Sequence, residues 1–135
     1  MEGLELIAFQ IISAVGTARS SYIEAVQAAK KGDFEGAKKL IAEGDEVFVE
    51  GHNAHAKLLT QEASGELSMV SLLILHAEDQ LMSAEAFKTI ANEFIDSYKR
   101  MQALETRLGI QGAQAEAEQD AEPKPEQEAK SEEEN

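Results

Sequence analysis

The sequence predicts an all-α protein whose subunit is an antiparallel three-helix bundle, and three observations support this prediction. Apolar residues recur at helical spacing through most of the 135-residue chain. Strong helix-breaking signals interrupt this pattern in only two places, "KKGDFEGA" and "EASGELS". No hairpin dipeptide lies between alternating strands, and both prolines, Pro123 and Pro125, stand near the end of the chain. We therefore expect helices near residues 4–30, 34–62 and 69–108.

The first helix has one apolar face, because its large aliphatic residues and alanines follow a repeat close to 3.6 residues. They are Leu4, Ile7, Ile11, Ala14, Val15, Ala18 and Tyr22. The first break supplies Gly32 as the residue that ends this helix and Asp33 as the N-cap of the next.

The second helix is less apolar and contains Gly36, Gly44 and Gly51. Each glycine should weaken an isolated helix by about 1 kcal/mol relative to alanine. The second break contains Ser64, Gly65 and Ser68, which predict a helix end followed by a new start.

The third helix begins with residues 69–75, which are apolar apart from Ser71. A helix that is apolar on every side is expected to be buried on every side. Since three helices can hardly enclose it so fully, we infer that this segment also meets copies of itself.

Residues of the third helix at 3-4-3-4 spacing form a seam suited to packing against parallel neighbouring helices. The seam contains Leu72, Leu75, Asp79, Met82 and Ala86.

Asp79 is the polar position of this seam. In a symmetric oligomer it would meet its own copies, and carboxylates held together must either bind protons or share a cation. Carboxylate oxygens suit a hard cation such as Mg²⁺. The alternative is that Asp79 is an incidental surface acid beside a solvent channel.

His76 lies one position off the seam, about 60° around the helix from Asp79. Gln80 and Ser83 follow it on its own face, forming a polar stripe, while Leu72 and Leu73 precede it by one turn. Apolar neighbours favour an uncharged imidazole with a nucleophilic nitrogen, which is able to carry a phosphoryl group. A purely structural histidine is the alternative.

His52 and His55 are three residues apart in "EGHNAH". Histidines at this spacing can share a metal ion, but catalytic zinc would need a third protein ligand that the sequence does not nominate. A metal-dependent hydrolase using these histidines and Asp79 is thus the weakest of the functional readings. Either histidine could instead lie beside His76 across a helix pair or a subunit interface, or simply be exposed.

The composition restricts the partners and the compartment. A net charge of −14 argues against binding nucleic acid. The absence of cysteine fits a reducing compartment. No apolar run reaches the roughly 18 residues of a membrane span. Glu2 and Glu5 stand where a secretory signal would carry basic residues, so we expect a cytoplasmic protein.

The C-terminal segment 109–135 has nine acidic and two basic residues and a single large aliphatic side chain, Ile110. Such a composition cannot offset the entropy of ordering by burial. The prediction is one domain over residues 1–108, followed by an acidic disordered tail over 109–135.

Five segments resemble the lactose and cellobiose class of enzyme IIA, the soluble A component of the bacterial sugar phosphotransferase system. They stand in the family's order and fall within residues 4 to 104. The segments are "GTARS" at 16–20, "KGDFEGAK" at 31–38, "EGHNAH" at 50–55, "EASGE" at 62–66 and "HAEDQLM" at 76–82.

The resemblance implies a homotrimer with the third helix near the three-fold axis. It implies that His76 is phosphorylated and that Asp79 holds a metal at the axis. It also implies a carrier that takes phosphate from the protein HPr and passes it to a cysteine of the enzyme IIB component. The assisting groups expected around His76 are Gln80, Ser83 and a helix-two histidine such as His52.

Two residues depart from the family's motif, Glu78 in place of glutamine and Gln80 in place of a second histidine. Glu78 lies about 200° from His76 on a helical wheel and is expected to face away from the chemistry. If the family's second histidine helps to hold the phosphoryl group, the side-chain amide of Gln80 would have to do so in this chain. The alternative function is a non-enzymatic trimeric scaffold or adaptor, in which His76 and Asp79 only set the register.

Overall fold

The computed structural model describes residues 3–67 and 69–110, which form three helices. Helix α1 spans Gly3–Lys30, α2 spans Phe34–Ala63 and α3 spans Leu72–Leu108. The described residues contain no strand, so the all-α prediction is confirmed. The predicted acidic tail falls almost entirely on residues 111–135, which lie outside the described residues.

The connection between α1 and α2 is made by the two residues that the sequence nominates. Gly32 adopts a φ of 85°, a left-handed conformation that favours glycine and ends the helix. The Asp33 carboxylate then accepts a hydrogen bond from the Gly36 amide at 2.9 Å. This bond satisfies one of the free amides at the start of α2, so the chain reverses direction within three residues.

The connection between α2 and α3 is longer than the sequence suggests. Helix α2 ends at Ala63, and Gly65 takes a φ of 75°. The expected start of α3 at residue 69 is wrong by three residues. Ser71 is the N-cap, because its hydroxyl accepts a hydrogen bond from the Ile74 amide at 3.3 Å. An extended Ser71 therefore separates the apolar residues before it from the helix proper.

Helix α1 lies at the centre of the packing, with α2 and α3 on either side. Near its start, Ile7 and Ile11 share a core with Ile74 and Leu81 of α3. Near its end, Ala25 and Ala29 pack with Ile95 of α3. Position along α1 thus increases together with position along α3, so these two helices run parallel while α2 runs against both.

Glycines on α2 allow it to approach α1 closely. A Cβ atom placed on Gly44 would lie 2.6 Å from the Tyr22 ring, and one on Gly51 would lie 2.7 Å from a Val15 methyl group. Such distances are well inside van der Waals contact. The expectation that these glycines merely weaken α2 is therefore incomplete, because their missing side chains make room for the Tyr22 ring and a Val15 methyl group of α1.

The outward side of α3 carries exposed apolar residues from its first turn to its last. In the single chain Ile74 is buried, whereas Leu72 is 83% exposed, so the expected burial of residues 69–75 on all sides is not met within one subunit. The exposed large apolar residues recur at intervals of one or two helical turns and so occupy one face. They are Leu72, Leu75, Met82, Ile90, Phe94, Met101, Leu104 and Leu108. We call this surface the α3 apolar face.

None of the helices in the described part of the chain is both long enough and apolar enough to cross a membrane.

Candidate histidine site and family membership

His76 is the fifth residue of α3, and its side chain is exposed. It is preceded by a capped helix start, so the backbone that carries it is fixed by the Ser71 N-cap and by the buried residues Ile74 and Ala77 on either side. The predicted polar stripe is present, since Gln80 and Ser83 lie on the same face of α3 and are half-buried. An exposed imidazole on a rigid helix is accessible to another protein.

A cation from α1 joins this stripe. Arg19 donates a hydrogen bond from Nη1 to Gln80 Oε1 at 2.9 Å and makes a longer contact of 3.5 Å with Ser83 Oγ. Among the described residues, no other side-chain hydrogen bonds join α1 to α3. The sequence prediction included Gln80 and Ser83 but missed Arg19, although it stands within the "GTARS" segment. Sixty-one residues separate it from Gln80, so only the parallel packing of α1 and α3 brings the two together.

Glu78 has a partner on α2 that the sequence did not indicate. Its Oε1 atom lies within ion-pair distance of His55 Nε2, which is 12% exposed at the side-chain level. The two atoms are in close contact but are not aligned as a regular hydrogen bond. The expectation that Glu78 faces away from His76 leaves out this partner on α2. The sequence does not indicate the contact between His55 and Glu78, because this contact depends on how α2 packs against α3.

The two helix-two histidines lie in different environments. His52 is exposed and stacks on Phe48 of its own helix, with ring centroids 6.5 Å apart. His55 is half-buried against Glu78 of α3. Within the single chain each histidine therefore has a neighbour other than His76.

Asp79 is exposed and lies on the α3 apolar face, between Leu75 and Met82. In the described part of the chain it forms no ion pair or side-chain hydrogen bond. Residues 3–67 and 69–110 contain no group of three histidine, aspartate or glutamate residues placed to hold a metal. The metal-dependent hydrolase interpretation thus lacks a set of three ligands among the described residues. A metal held by one carboxylate from each of several subunits would not need three ligands from the same chain.

A groove of about 600 Å³ runs between α1 and α2, away from these residues. Its lining includes Leu6, Phe9, Glu50 and Lys57 and none of the predicted site residues. His76 is instead an exposed residue on the surface of α3. This suits a reaction in which the other reactant is a protein.

Comparison with known proteins agrees with the fold, and the matched residues include His76. Residues 6–99 match the family described as the lactose/cellobiose-specific IIA subunit of the PTS. The lichenan-specific phosphotransferase enzyme IIA component of Bacillus subtilis is 41% identical over 100 residues, which are 74% of this chain and 91% of that protein. The lactose-specific EIIA component of Staphylococcus aureus is 37% identical over 99 residues, covering 73% of this chain and 96% of that protein.

A solved structure extends the agreement to three dimensions. The cellobiose-specific enzyme IIA from Bacillus anthracis superposes with a TM-score of 0.74 at 41% sequence identity, covering 76% of this chain and 94% of that one. The chain belongs to the lactose/cellobiose-specific IIA family and is a component of the phosphotransferase system.

Proposed function

We propose that this chain is a phosphohistidine carrier, in which His76 accepts a phosphoryl group from HPr and passes it to the enzyme IIB component. The observation that supports this proposal best is the placement of His76. It is exposed on a capped helix, with the half-buried polar groups of Gln80 and Ser83 on the same face. It also lies within the residues that match the family.

The transfer needs no free nucleotide. As a nitrogen of His76 attacks phosphorus, the P–N bond of the phosphohistidine on HPr breaks and its imidazole leaves with the electron pair of that bond. The departing imidazole takes up one proton while His76 gives one up, so only the phosphoryl group is moved. In the second step a cysteine thiolate of IIB attacks the phosphorus, and the His76 imidazole departs and recovers a proton. Catalysis of such transfers relies on alignment and on charge stabilisation.

We infer that three chains assemble through the α3 apolar face. Large apolar residues are exposed from Leu72 at the start of α3 to Leu108 at its end. An extended exposed apolar surface of this kind marks an interaction site. Copies of the same chain are the occupant that we propose, because the 3-4-3-4 spacing at its start is that of parallel helices packed together. This arrangement would place α3 near a three-fold axis.

Asp79 would then hold a divalent cation such as Mg²⁺ at that axis. An exposed carboxylate that forms no ion pair with any described residue is suited to this role, whereas the same residue buried without a cation would be costly. Each chain would contribute one carboxylate. The ion would supply positive charge that offsets the repulsion between the three acids, and its role would be structural.

The sugar delivered by the pathway is proposed from the relatives. Those relatives are named for lichenan, lactose and cellobiose. We propose a disaccharide such as lactose or cellobiose, with the carrier acting in the cytoplasm, a reducing compartment that the lack of cysteine fits. A non-enzymatic scaffold is not favoured, since the relatives that match most of the chain are named as phosphotransferase components.

The proposal is tested by labelling with phosphorylated HPr. The wild-type chain should take up one acid-labile phosphate, and His76→Gln should take up none while its helicity and oligomeric state are retained. The matched controls are His52→Gln and His55→Gln, which should reduce the rate of labelling at most, because an assisting group can be partly replaced and the accepting atom cannot. Label found on His52 or His55 by mass spectrometry, or an unlabelled wild-type chain, would overturn the assignment.

A further inference from the structure

The guanidinium of Arg19 has unused hydrogen-bonding capacity beside the histidine stripe. A guanidinium carries five N–H donors. The contacts with Gln80 and Ser83 are both made by Nη1 and both go to uncharged oxygen atoms. Among the described residues, no carboxylate lies within ion-pair distance of Arg19. The positive charge is therefore held in place without being neutralised.

The contacts of Arg19 place its guanidinium at Gln80 and Ser83, one and two helical turns beyond His76 along α3. Side chains on a helix lean toward its N-terminus. Because α1 and α3 run parallel, this lean carries the guanidinium toward the start of α3, where His76 lies. Gln80, the acceptor of the 2.9 Å bond, is one helical turn beyond His76.

A phosphoryl group on His76 would need such a partner. It carries close to two negative charges and three acceptor oxygens at neutral pH. The effect of a helix dipole is largely confined to the first turn, so the backbone offers little to the fifth residue of α3. A guanidinium binds phosphate through paired N–H donors more strongly than a neutral group does.

We propose that Arg19 binds the phosphoryl group carried by His76, and that Gln80 and Ser83 position the guanidinium for this contact. The proposal rests on the proposed function, since it requires His76 to be the phosphorylated residue. Arg19 would act twice: it would stabilise the charge that builds up on the oxygen atoms during transfer, and it would hold the phosphorylated side chain against α3. Gln80 would then serve as a positioning residue, bound to Arg19, where the family's motif has a histidine.

Three variants test this proposal: Arg19→Gln, Arg19→Lys and the matched control Arg100→Gln, in which an exposed arginine of α3 outside the core is replaced. The first measurement is the rate of labelling by phosphorylated HPr. Removal of one preorganised charge-stabilising donor lowers rates by about a hundredfold in well-studied sites. We expect a loss of at least about tenfold for Arg19→Gln, a smaller loss for Arg19→Lys, which keeps the charge but not the fork, and none for Arg100→Gln.

The second measurement does not depend on partner binding. Each protein is phosphorylated chemically with phosphoramidate, and the ³¹P resonance of the phosphohistidine is followed as a function of pH. A bound guanidinium favours the dianion, so the second ionisation of the phosphoryl group should move to higher pH in Arg19→Gln and stay near the wild-type position in Arg19→Lys and Arg100→Gln. A purely structural role for Arg19 would lower the melting temperature without moving this titration.

The outcomes separate the two proposals. If the wild-type chain takes no label on His76, the proposed function fails. If the wild-type chain is labelled and Arg19→Gln matches it in both rate and titration, the role of Arg19 fails while the carrier function stands. Should Arg19→Gln not fold, Arg19→Lys decides the matter, because a wild-type labelling rate in that variant would overturn the proposal.

Discussion

The hydroxyl of Tyr22 donates a hydrogen bond to Asp45 Oδ1 at 2.8 Å, linking α1 to α2. The same oxygen atom lies 3.0 Å from Lys88 Nζ of α3. One carboxylate oxygen therefore joins all three helices. The Tyr22 ring beneath it is fully buried and touches Gly44, so this polar link lies at the edge of the core.

Replacing Tyr22 by phenylalanine should lower the free energy of unfolding by about 1.5–3 kcal/mol, the range for a hydrogen bond to a charged acceptor. The ring would keep its packing, and Asp45 would keep Lys88. Urea unfolding at neutral pH measures the loss. Tyr98→Phe is the matched control, because no hydrogen bond from the Tyr98 hydroxyl occurs among the described residues, and it should unfold like the wild type. Equal stability of the two variants would show that the Tyr22 bond contributes nothing in solution.

The stability should also fall in alkaline solution for a reason that involves the same residue. Burial, and then the hydrogen bond and the negative charge of Asp45, raise the pKa of Tyr22 well above its usual value. Below pH of about 10 the tyrosine is protonated in both the folded and the unfolded chain, and the full stability is present. Above that pH the unfolded chain loses the proton first, so stability should drop by up to about 1.4 kcal/mol per pH unit. Unfolding measured between pH 9 and pH 11.5 should show a steeper decline for the wild type than for Tyr22→Phe.

Alanine should have opposite effects at different glycines. At Gly44 and Gly51 the added methyl group would press on Tyr22 and Val15, so the helices must move apart, and we expect losses of about 1–3 kcal/mol. Gly16, on α1, has nothing within 4 Å of an added Cβ, so Gly16→Ala should be neutral or stabilising by up to about 1 kcal/mol. Thermal melts of the three variants make the comparison. Stabilisation by Gly44→Ala would mean that α1 and α2 are farther apart in solution.

The His55 and Glu78 side chains should be energetically coupled. A double-mutant cycle with His55→Gln, Glu78→Gln and the double variant should give a coupling of about 0.5–1 kcal/mol, because Glu78 is partly solvated. Glu78→Gln restores the residue of the motif that this chain resembles. Additive losses, with no coupling, would show that the contact is not formed in solution.

Asp79→Leu should leave the proposed trimer intact or make it more stable, since apolar replacement of clustered buried charge is often favourable. Treatment with EDTA should lower the melting temperature of the wild-type trimer and not that of Asp79→Leu. Asp96→Leu, an exposed acid about 100° away around α3, should respond to EDTA like the wild type. Sedimentation of the wild type as a monomer at micromolar concentration would count against both the trimer and its metal.

Local signals predicted the helices well. Asp33 and Gly32 were identified as cap and stop because their roles depend on a few neighbouring residues. The start of α3 was misplaced because residues 69 and 70 are as apolar as the helix that follows, and hydrophobicity outweighed the capping signal of Ser71. From the sequence, Gly44 and Gly51 are expected only to weaken α2. Helix propensities describe an isolated helix and take no account of how closely α1 packs against these glycines.

The candidate site shows the same division. His76, Gln80 and Ser83 were found together because they share one face of one helix. Arg19, His55 and Glu78 depend on distances between helices, and no periodicity in the sequence encodes those. The family resemblance identifies the segment "GTARS", which contains Arg19. It does not indicate that the Arg19 side chain contacts Gln80 and Ser83 of α3.

The length of α3 has a consequence for how the molecule folds. Tyr98 is the last residue of α3 that packs against a core cluster, and none of its later residues is buried. The final turns, with Met101, Leu104 and Leu108, are therefore packed against no core cluster of the described residues, and a short solvated helix is only marginally stable in water. Completion of α3 should then require a second molecule, so its end should fray on dilution and become helical again as the concentration rises.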